Sequence, residues 1–228
     1  MIYQFLLFDL DHTLLDFATA EEVALTQLLE SLKVGDVQAA KSVYRGVNRQ
    51  MWKDLEKGLL TKAELVNTRF SCTFAELGRD EDGAALALRY QEFLGRQGQT
   101  FPQAEQLLAT LTRRGYEIYG ATNGITYIQE NRLQRSSIGS YFKRVFISEQ
   151  MGTQKPETAF YQKIAEQIPG FTTSKALMIG DSLTADIQGG NKAGIDTAWF
   201  NPSGVPNTSQ SIPTYTFSTY AELADLLT

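Results

Sequence analysis

The 228 residues include 43% hydrophobic and 21% charged side chains, and 21 Lys and Arg stand against 26 Asp and Glu. This is the make-up of a packed globular chain, long enough for one medium domain with an insertion or for two small ones; disorder is excluded, and with a net charge of −5 and no basic run a nucleic-acid polymer is not expected as partner. Cys72 is the only cysteine and His12 the only histidine, so disulfides, cysteine or histidine-rich metal sites and a Ser-His-Asp triad fall away, and any chemistry has to use carboxylates.

In chain order, Phe5-Leu6-Leu7-Phe8 reads as a buried strand ending at Asp9. The apolar run around it is too short for a signal sequence or a membrane span, so a cytoplasmic protein with no membrane partner is expected. From about Phe17 to Gly98 the pattern is helical throughout. Thr19-x-x-Glu22 reads as a capping box leading into Leu25, Leu28, Leu29 and Leu32, and Thr61-x-x-Glu64 as a second one leading into Leu65. A third amphipathic stretch runs through Leu86, Tyr90, Phe93 and Leu94. Beyond Phe101-Pro102 strands and helices alternate. Ala104 to Leu111 is a helix stopped by Gly115, Ile118 to Ala121 a strand, Val145 to Ile147 a strand, Phe160 to Ile168 a helix, and Ala176 to Ile179 a strand. Thr197 to Phe200, an edge strand Tyr215 to Phe217 and a terminal helix Tyr220 to Leu227 follow, with a surface loop at 201–213. The expected class is α/β: an open parallel Rossmann-like sheet with helices on both faces, built from residues 1–16 and 101–228, with an all-helical insertion over 17–100.

The chemistry gathers where apolar runs stop. Asp9-Leu10-Asp11-His12-Thr13 puts two carboxylates just past the first strand, at the edge where parallel sheets bind ligands. Asp181 stands at the end of another strand, with Asp186 five residues on. Two such carboxylates brought to about 4 Å repel by roughly 4 kcal/mol at an effective dielectric near 20, so convergence calls for a hard, oxygen-loving cation, for which Mg2+ is the fit. Lys155, in Gln-Lys-Pro after the Val145 strand, offers a fixed positive charge, and Thr122-Asn123-Gly124 offers a hydroxyl and backbone N–H groups suited to a phosphate oxygen.

Taken in order, Asp9-x-Asp11-x-Thr13, Thr122-Asn123-Gly124, Lys155-Pro156 and Gly180-Asp181-x4-Asp186 resemble the four motifs of the haloacid dehalogenase superfamily of phosphohydrolases, and the helical insertion after the first motif resembles its C1-type cap. Asn48-Arg49-x2-Trp52-x3-Glu56-x-Gly58-x2-Thr61-x3-Leu65-x3-Arg69-Phe70, with Ser148-Glu149-x-Met151-Gly152-x2-Lys155-Pro156, is similar to the pyrimidine 5'-nucleotidases of that superfamily. The resemblance implies Asp9 as nucleophile through an aspartyl-phosphate, and Asp11 as general acid and base. It implies Mg2+ held by Asp9, the Asp11 carbonyl and Asp181, with phosphoryl oxygens held by Thr122, Asn123 and Lys155 and with Asp186 in support. It implies a nucleoside monophosphate as substrate and a cap that closes over the crevice and reads the base, for which Asn48, Trp52 and Arg69 are candidates. His12 fills a variable position and is given no catalytic role. The alternatives within the superfamily are a sugar-phosphate phosphatase or a phosphomutase. Outside it stands a non-enzymatic phospho-acceptor module, which needs only about half this length and in which a helical lid over the acceptor would hinder a partner kinase.

Overall fold

The computed structural model describes residues 2–228, and these divide into two compact units, one of residues 2–17 and 98–228 and one of residues 18–97. In the larger unit six parallel strands form one sheet in the order β3-β2-β1-β4-β5-β6, where β1 is Phe5–Phe8, β2 Glu117–Thr122, β3 Arg144–Ile147, β4 Ala176–Gly180, β5 Asp196–Phe200 and β6 Tyr215–Phe217. This is the open parallel sheet that the apolar runs predict, with Tyr215–Phe217 at one edge. The strand β1 lies in its middle, with Phe8 level with Gly120 on β2 and Ile179 on β4.

Both faces of that sheet are covered, which is why its central strands are apolar at every position rather than at alternate ones. Leu6 and Phe8 pack with Leu107, Leu108 and Leu111 of α5 (Ala104–Arg113) and Leu223 of α10 (Tyr220–Leu226). Phe5 and Leu7 face the other way, among Phe160, Tyr161 and Ile164 of α8 (Thr158–Gln167). The turn after α5 uses Gly115 at φ +88°, a conformation glycine adopts without the cost a Cβ would bring. The remaining helices of this unit are α6 (Thr126–Arg135), α7 (Ser148–Met151) and α9 (Gln188–Ala193), the last preceded by a π-helical turn over Leu183–Ile187.

The smaller unit is helical: α1 (Phe17–Ser31) enters it, and α2 (Val37–Glu56), α3 (Lys62–Glu76) and α4 (Gly83–Gly95) complete it. Thr61 caps α3 as its spacing predicts, accepting from the Glu64 backbone N–H while the Glu64 carboxylate accepts from the Thr61 N–H. The other expected capping box does not form. Helix α1 begins at Phe17, so Thr19 already lies inside it, and the Glu22 carboxylate accepts hydrogen bonds from Lys41 and Arg45 of α2 instead. No helix among the described residues is long and apolar enough to cross a membrane.

Candidate active site

Four loops leave the C-terminal ends of β1, β2, β3 and β4, which are neighbours in the sheet, so residues more than a hundred positions apart in sequence meet at one rim. Asp9 follows β1 directly; its backbone N–H donates to Ile179 O at 2.8 Å, which ties it to β4. The chain then turns through His12, whose φ of +63° places it in the left-handed region, and His12 itself is exposed. Behind it Thr13 is buried, its hydroxyl 3.3 Å from Asp9 Oδ2 and 3.4 Å from Asp181 Oδ1.

Lys155 stands at the centre and is only 2% exposed. Its ammonium donates to Asp9 Oδ1 at 2.7 Å, to Asp186 Oδ1 at 2.6 Å and to the Ala121 carbonyl at 2.6 Å, so all three of its hydrogens are used. Its backbone is held as firmly: Asn123 Nδ2 donates to Lys155 O at 2.8 Å and Lys155 N donates to Asn123 Oδ1 at 2.9 Å. The Asn123 side chain is therefore spent on the β3 loop, fixing where the lysine emerges.

Asp186 arrives by way of the π-helical turn, an irregularity that often marks functional sites. Its Oδ2 accepts from Ser182 N at 3.0 Å, and a Cβ on Gly180 would come within 2.1 Å of that oxygen, so only glycine at the end of β4 leaves room for it. Asp181 is held from behind, its carbonyl accepting from Trp199 Nε1 at 2.9 Å. Carboxylate oxygens of Asp9, Asp181 and Asp186 all lie within 4.8 Å of one another.

That crowding is written in their affinities for protons. Burial, offset in part by Lys155 and reinforced by Asp186 and Asp11, pushes the Asp9 carboxyl up to about 7. Burial and the Asp9 charge push Asp181 up to about 6, against the pull of His12 and Lys155. Asp186 is raised as well, by burial first. Lys155 moves up too: its burial opposes the charge, and Asp186 and Asp9 outweigh that. A donor set of oxygens only, converging at this spacing and with two of its members pushed toward neutrality, fits a hard divalent cation such as Mg2+.

Asp11 is placed differently. Its carboxylate does not join the other three but turns to α6, where Arg132 Nη1 donates to Oδ1 and Gln129 Nε2 donates to Oδ2 at 2.7 Å. Arg132 and Gln129 are both fully buried, and Arg132 lies 5.5 Å from the centre of the Phe17 ring. These two residues are absent from the sequence-based site. The one local trace of them is their i, i+3 spacing on a helix that also carries the buried Ile128 and Leu133. Thr122 ends β2 rather than starting α6, whose N-cap is Ile125; its Oγ1 lies 3.1 Å from the donating Gly124 N–H and 3.0 Å from Gln129 Nε2.

The remaining candidates lie in the helical unit. Asn48 on α2 accepts from Arg69 Nη1 on α3 at 3.3 Å. Arg69 is buried, with its guanidinium 5.0 Å from the Tyr90 ring centre, 5.4 Å from Phe70 and 6.0 Å from Tyr44. Trp52, also on α2, is half-buried.

Residues 6–200 match the model of the haloacid dehalogenase-like hydrolase family. The chain belongs to that family. It is 57% identical over 227 residues to the pyrimidine 5'-nucleotidase PynA of Streptococcus pneumoniae, an alignment covering 100% of this chain and 96% of that protein. It is 30% identical over 227 residues to the pyrimidine 5'-nucleotidase YjjG of Escherichia coli, covering 100% and 99%. The crystal structure of the HAD-hydrolase YfnB of Bacillus subtilis, bound to magnesium, superimposes with a TM-score of 0.94 at 40% identity, covering 100% of this chain and 99% of that one. This haloacid dehalogenase-like hydrolase is an enzyme, and its fold agrees with that of YfnB.

Proposed function

We propose that this hydrolase is a Mg2+-dependent phosphomonoesterase that removes the 5'-phosphate of pyrimidine nucleoside monophosphates through an aspartyl-phosphate. The observation that supports the chemistry is the buried Asp9 carboxylate at the end of β1, ion-paired to Lys155 and bordered by Asp181 and Asp186. The substrate class rests on the 57% identity to PynA along the whole chain.

In this reading Asp9 and Asp181, with the Asp11 backbone carbonyl, hold the cation. When bound, Mg2+ offsets the carboxylate charge and draws electron density from the phosphoryl oxygens. An Asp9 carboxylate oxygen attacks phosphorus in line with the leaving oxygen, forming the acyl-phosphate bond as the bond to the nucleoside oxygen breaks. Asp11 gives a proton to that departing oxygen, and afterwards takes one from the water that cleaves the aspartyl-phosphate. It can do so while Arg132 and Gln129 hold it, because each carboxylate oxygen keeps a second lone-pair site for the proton. The Thr122 hydroxyl and the Asn123 backbone amide take the phosphoryl oxygens, over which charge spreads during transfer, and Lys155 joins them by giving up one of its three present acceptors. Asp186 keeps the Lys155 ammonium in place. The helical unit serves as the cap domain, and Asn48, Trp52 and Arg69 are its candidates for reading the base.

A phosphate-release screen across nucleoside monophosphates and sugar phosphates, in Mg2+ and in EDTA, tests this. Release that needs Mg2+ and is fastest for uridine and thymidine monophosphates is expected. Turnover confined to sugar phosphates would move the assignment to a sugar-phosphate phosphatase, and strict dependence on a bisphosphate activator would move it to a phosphomutase.

A further inference from the structure

Gln129 joins two groups to which the proposed reaction gives separate tasks. It is fully buried, and its single amide nitrogen lies 2.7 Å from Asp11 Oδ2 and 3.0 Å from Thr122 Oγ1. A carboxylate only accepts hydrogen bonds, so the amide has to turn its NH2 end toward Asp11, and the second hydrogen of that NH2 then goes to Thr122. Thr122 Oγ1 accepts a second hydrogen bond from the Gly124 N–H at 3.1 Å. Both lone pairs of the hydroxyl are thereby occupied. Its own hydrogen is left to be donated, along the one tetrahedral direction that remains, to a third partner.

The surroundings are shaped for this arrangement rather than for stability. A Cβ on Gly124 would lie 2.4 Å from Gln129 Nε2, so the turn after β2 admits the amide only because residue 124 is glycine. The other end of the amide, Oε1, is buried with no hydrogen-bond partner, a cost to folding that a leucine at this position would not carry.

We propose that Gln129 is a positioning residue of this phosphohydrolase: its amide aims the Thr122 hydroxyl hydrogen at a phosphoryl oxygen and, with Arg132, sets the place of the Asp11 carboxylate. This rests on the roles given above to Thr122 and Asp11. A phosphoryl ligand then meets a hydroxyl already oriented to donate, with no rotor freedom left to lose, and the acid and the phosphoryl site keep a fixed relation because one amide holds both.

The test uses the full chain and reads binding and turnover separately. Affinity for inorganic phosphate is measured by titration calorimetry for wild type, Thr122→Val, Gln129→Leu and the double variant, with Gln129→Met as a second replacement of similar size. Each single change is expected to weaken phosphate roughly tenfold, and the double change to be no weaker than either alone, because without Gln129 the hydroxyl has lost its aim and without the hydroxyl Gln129 has nothing to aim. Turnover is then compared on a nucleoside monophosphate, whose alkoxide has to be protonated as it leaves, and on p-nitrophenyl phosphate, whose phenolate does not. In the Gln129 variants kcat on the nucleotide is expected to fall at least fivefold more than kcat on the aryl phosphate, while the melting temperature holds or rises. Phosphate affinity equal to wild type in both Gln129 variants, or effects that multiply in the double variant, would overturn the proposal. So would equal kcat losses on the two substrates accompanied by a lower melting temperature, the signature of a packing role. A wild type that binds phosphate but releases none from either substrate would instead defeat the phosphatase reading, since the binding cycle is read without turnover.

Discussion

Replacing Asp9 by asparagine should abolish phosphate release and, in the absence of a divalent cation, make the protein more stable. In the fold the Asp9 carboxyl titrates at about 7 against an ordinary 3.8, because burial and then the Asp186 and Asp11 charges outweigh the attraction of Lys155. The folded chain thus holds this proton more tightly than the unfolded chain does. Asp9 therefore costs nothing below pH 3.8, costs progressively more as the pH rises toward 7, and costs a constant amount above it. A difference of about 3 in pKa, at about 1.4 kcal/mol each, comes to about 4 kcal/mol at pH 8. Asparagine has nearly the same shape and no charge to bury, and Lys155 keeps Asp186 as its partner at 2.6 Å. At roughly 2–4 °C per kcal/mol the variant should melt about 8–16 °C above wild type in EDTA at pH 8. The gap should close as the pH is lowered toward 4, and Mg2+ should raise the melting temperature of wild type more than that of the variant. Thermal melts of both proteins across this pH range, with and without Mg2+, decide it. Coincident melts at pH 8 in EDTA would refute the electrostatic account of the site, and Mg2+-dependent turnover by the variant would refute Asp9 as nucleophile.

Gly180→Ala should drive a Cβ into Asp186 Oδ2, now 2.1 Å from where that atom would stand, and push the carboxylate off Lys155 and Ser182; at least a tenfold loss of phosphate release is expected, and unaltered kinetics would mean that Asp186 has no part in holding Lys155. Thr61→Ala removes the side-chain half of the capping box on α3, leaving the backbone N–H of residue 61 to donate to Glu64, and should cost the helical unit about 1 kcal/mol. Hydrogen exchange over residues 61–76 should accelerate accordingly, and exchange at the wild-type rate would count against it. The Glu22 carboxyl is held below its usual range by hydrogen bonds from Lys41 and then Arg45, so the stability it brings is complete above its ordinary 4.5 and is lost as the pH falls through its lower folded value. Glu22→Gln should therefore lower hydrogen-exchange protection of α1 and α2 at pH 6 and leave it little changed at pH 3, and the same loss at both pH values would show that charge is not what joins these helices.

The sheet is legible in the sequence because of how it is buried. With α5 and α10 on one face and α8 on the other, each position of Phe5–Phe8 has to be apolar, and the run stops sharply where the strand reaches the rim. The same contrast marks Asp9 and Asp181, which sit where a strand interior would tolerate no charge. What stays hidden is of another kind. Thr19 and Glu22 carry the spacing of a cap, yet Glu22 binds Lys41 and Arg45, 19 and 23 residues away, and no local pattern can announce partners on another helix. Gln129 and Arg132 are hidden for a related reason, since two polar residues three apart on a helix are ordinarily a solvated pair, and here they are buried against Asp11, which arrives from a different strand end.

Around the rim Lys155 and Arg132 stand against Asp9, Asp11, Asp181 and Asp186, so the carboxyls outnumber the cations by two, an excess that the raised Asp9 and Asp181 relieve in part by holding protons near neutral pH. Apolar side chains of similar volume would fold more stably there, as buried ion pairs commonly do no better than break even against them. Carboxyls crowded at a rim until they have to hold protons are harder still to explain by folding alone, and it is the charge that one divalent cation would let them carry. The ends of β1 and β4 depart from the rule their own strands obey, and that departure is what separates a site from a scaffold.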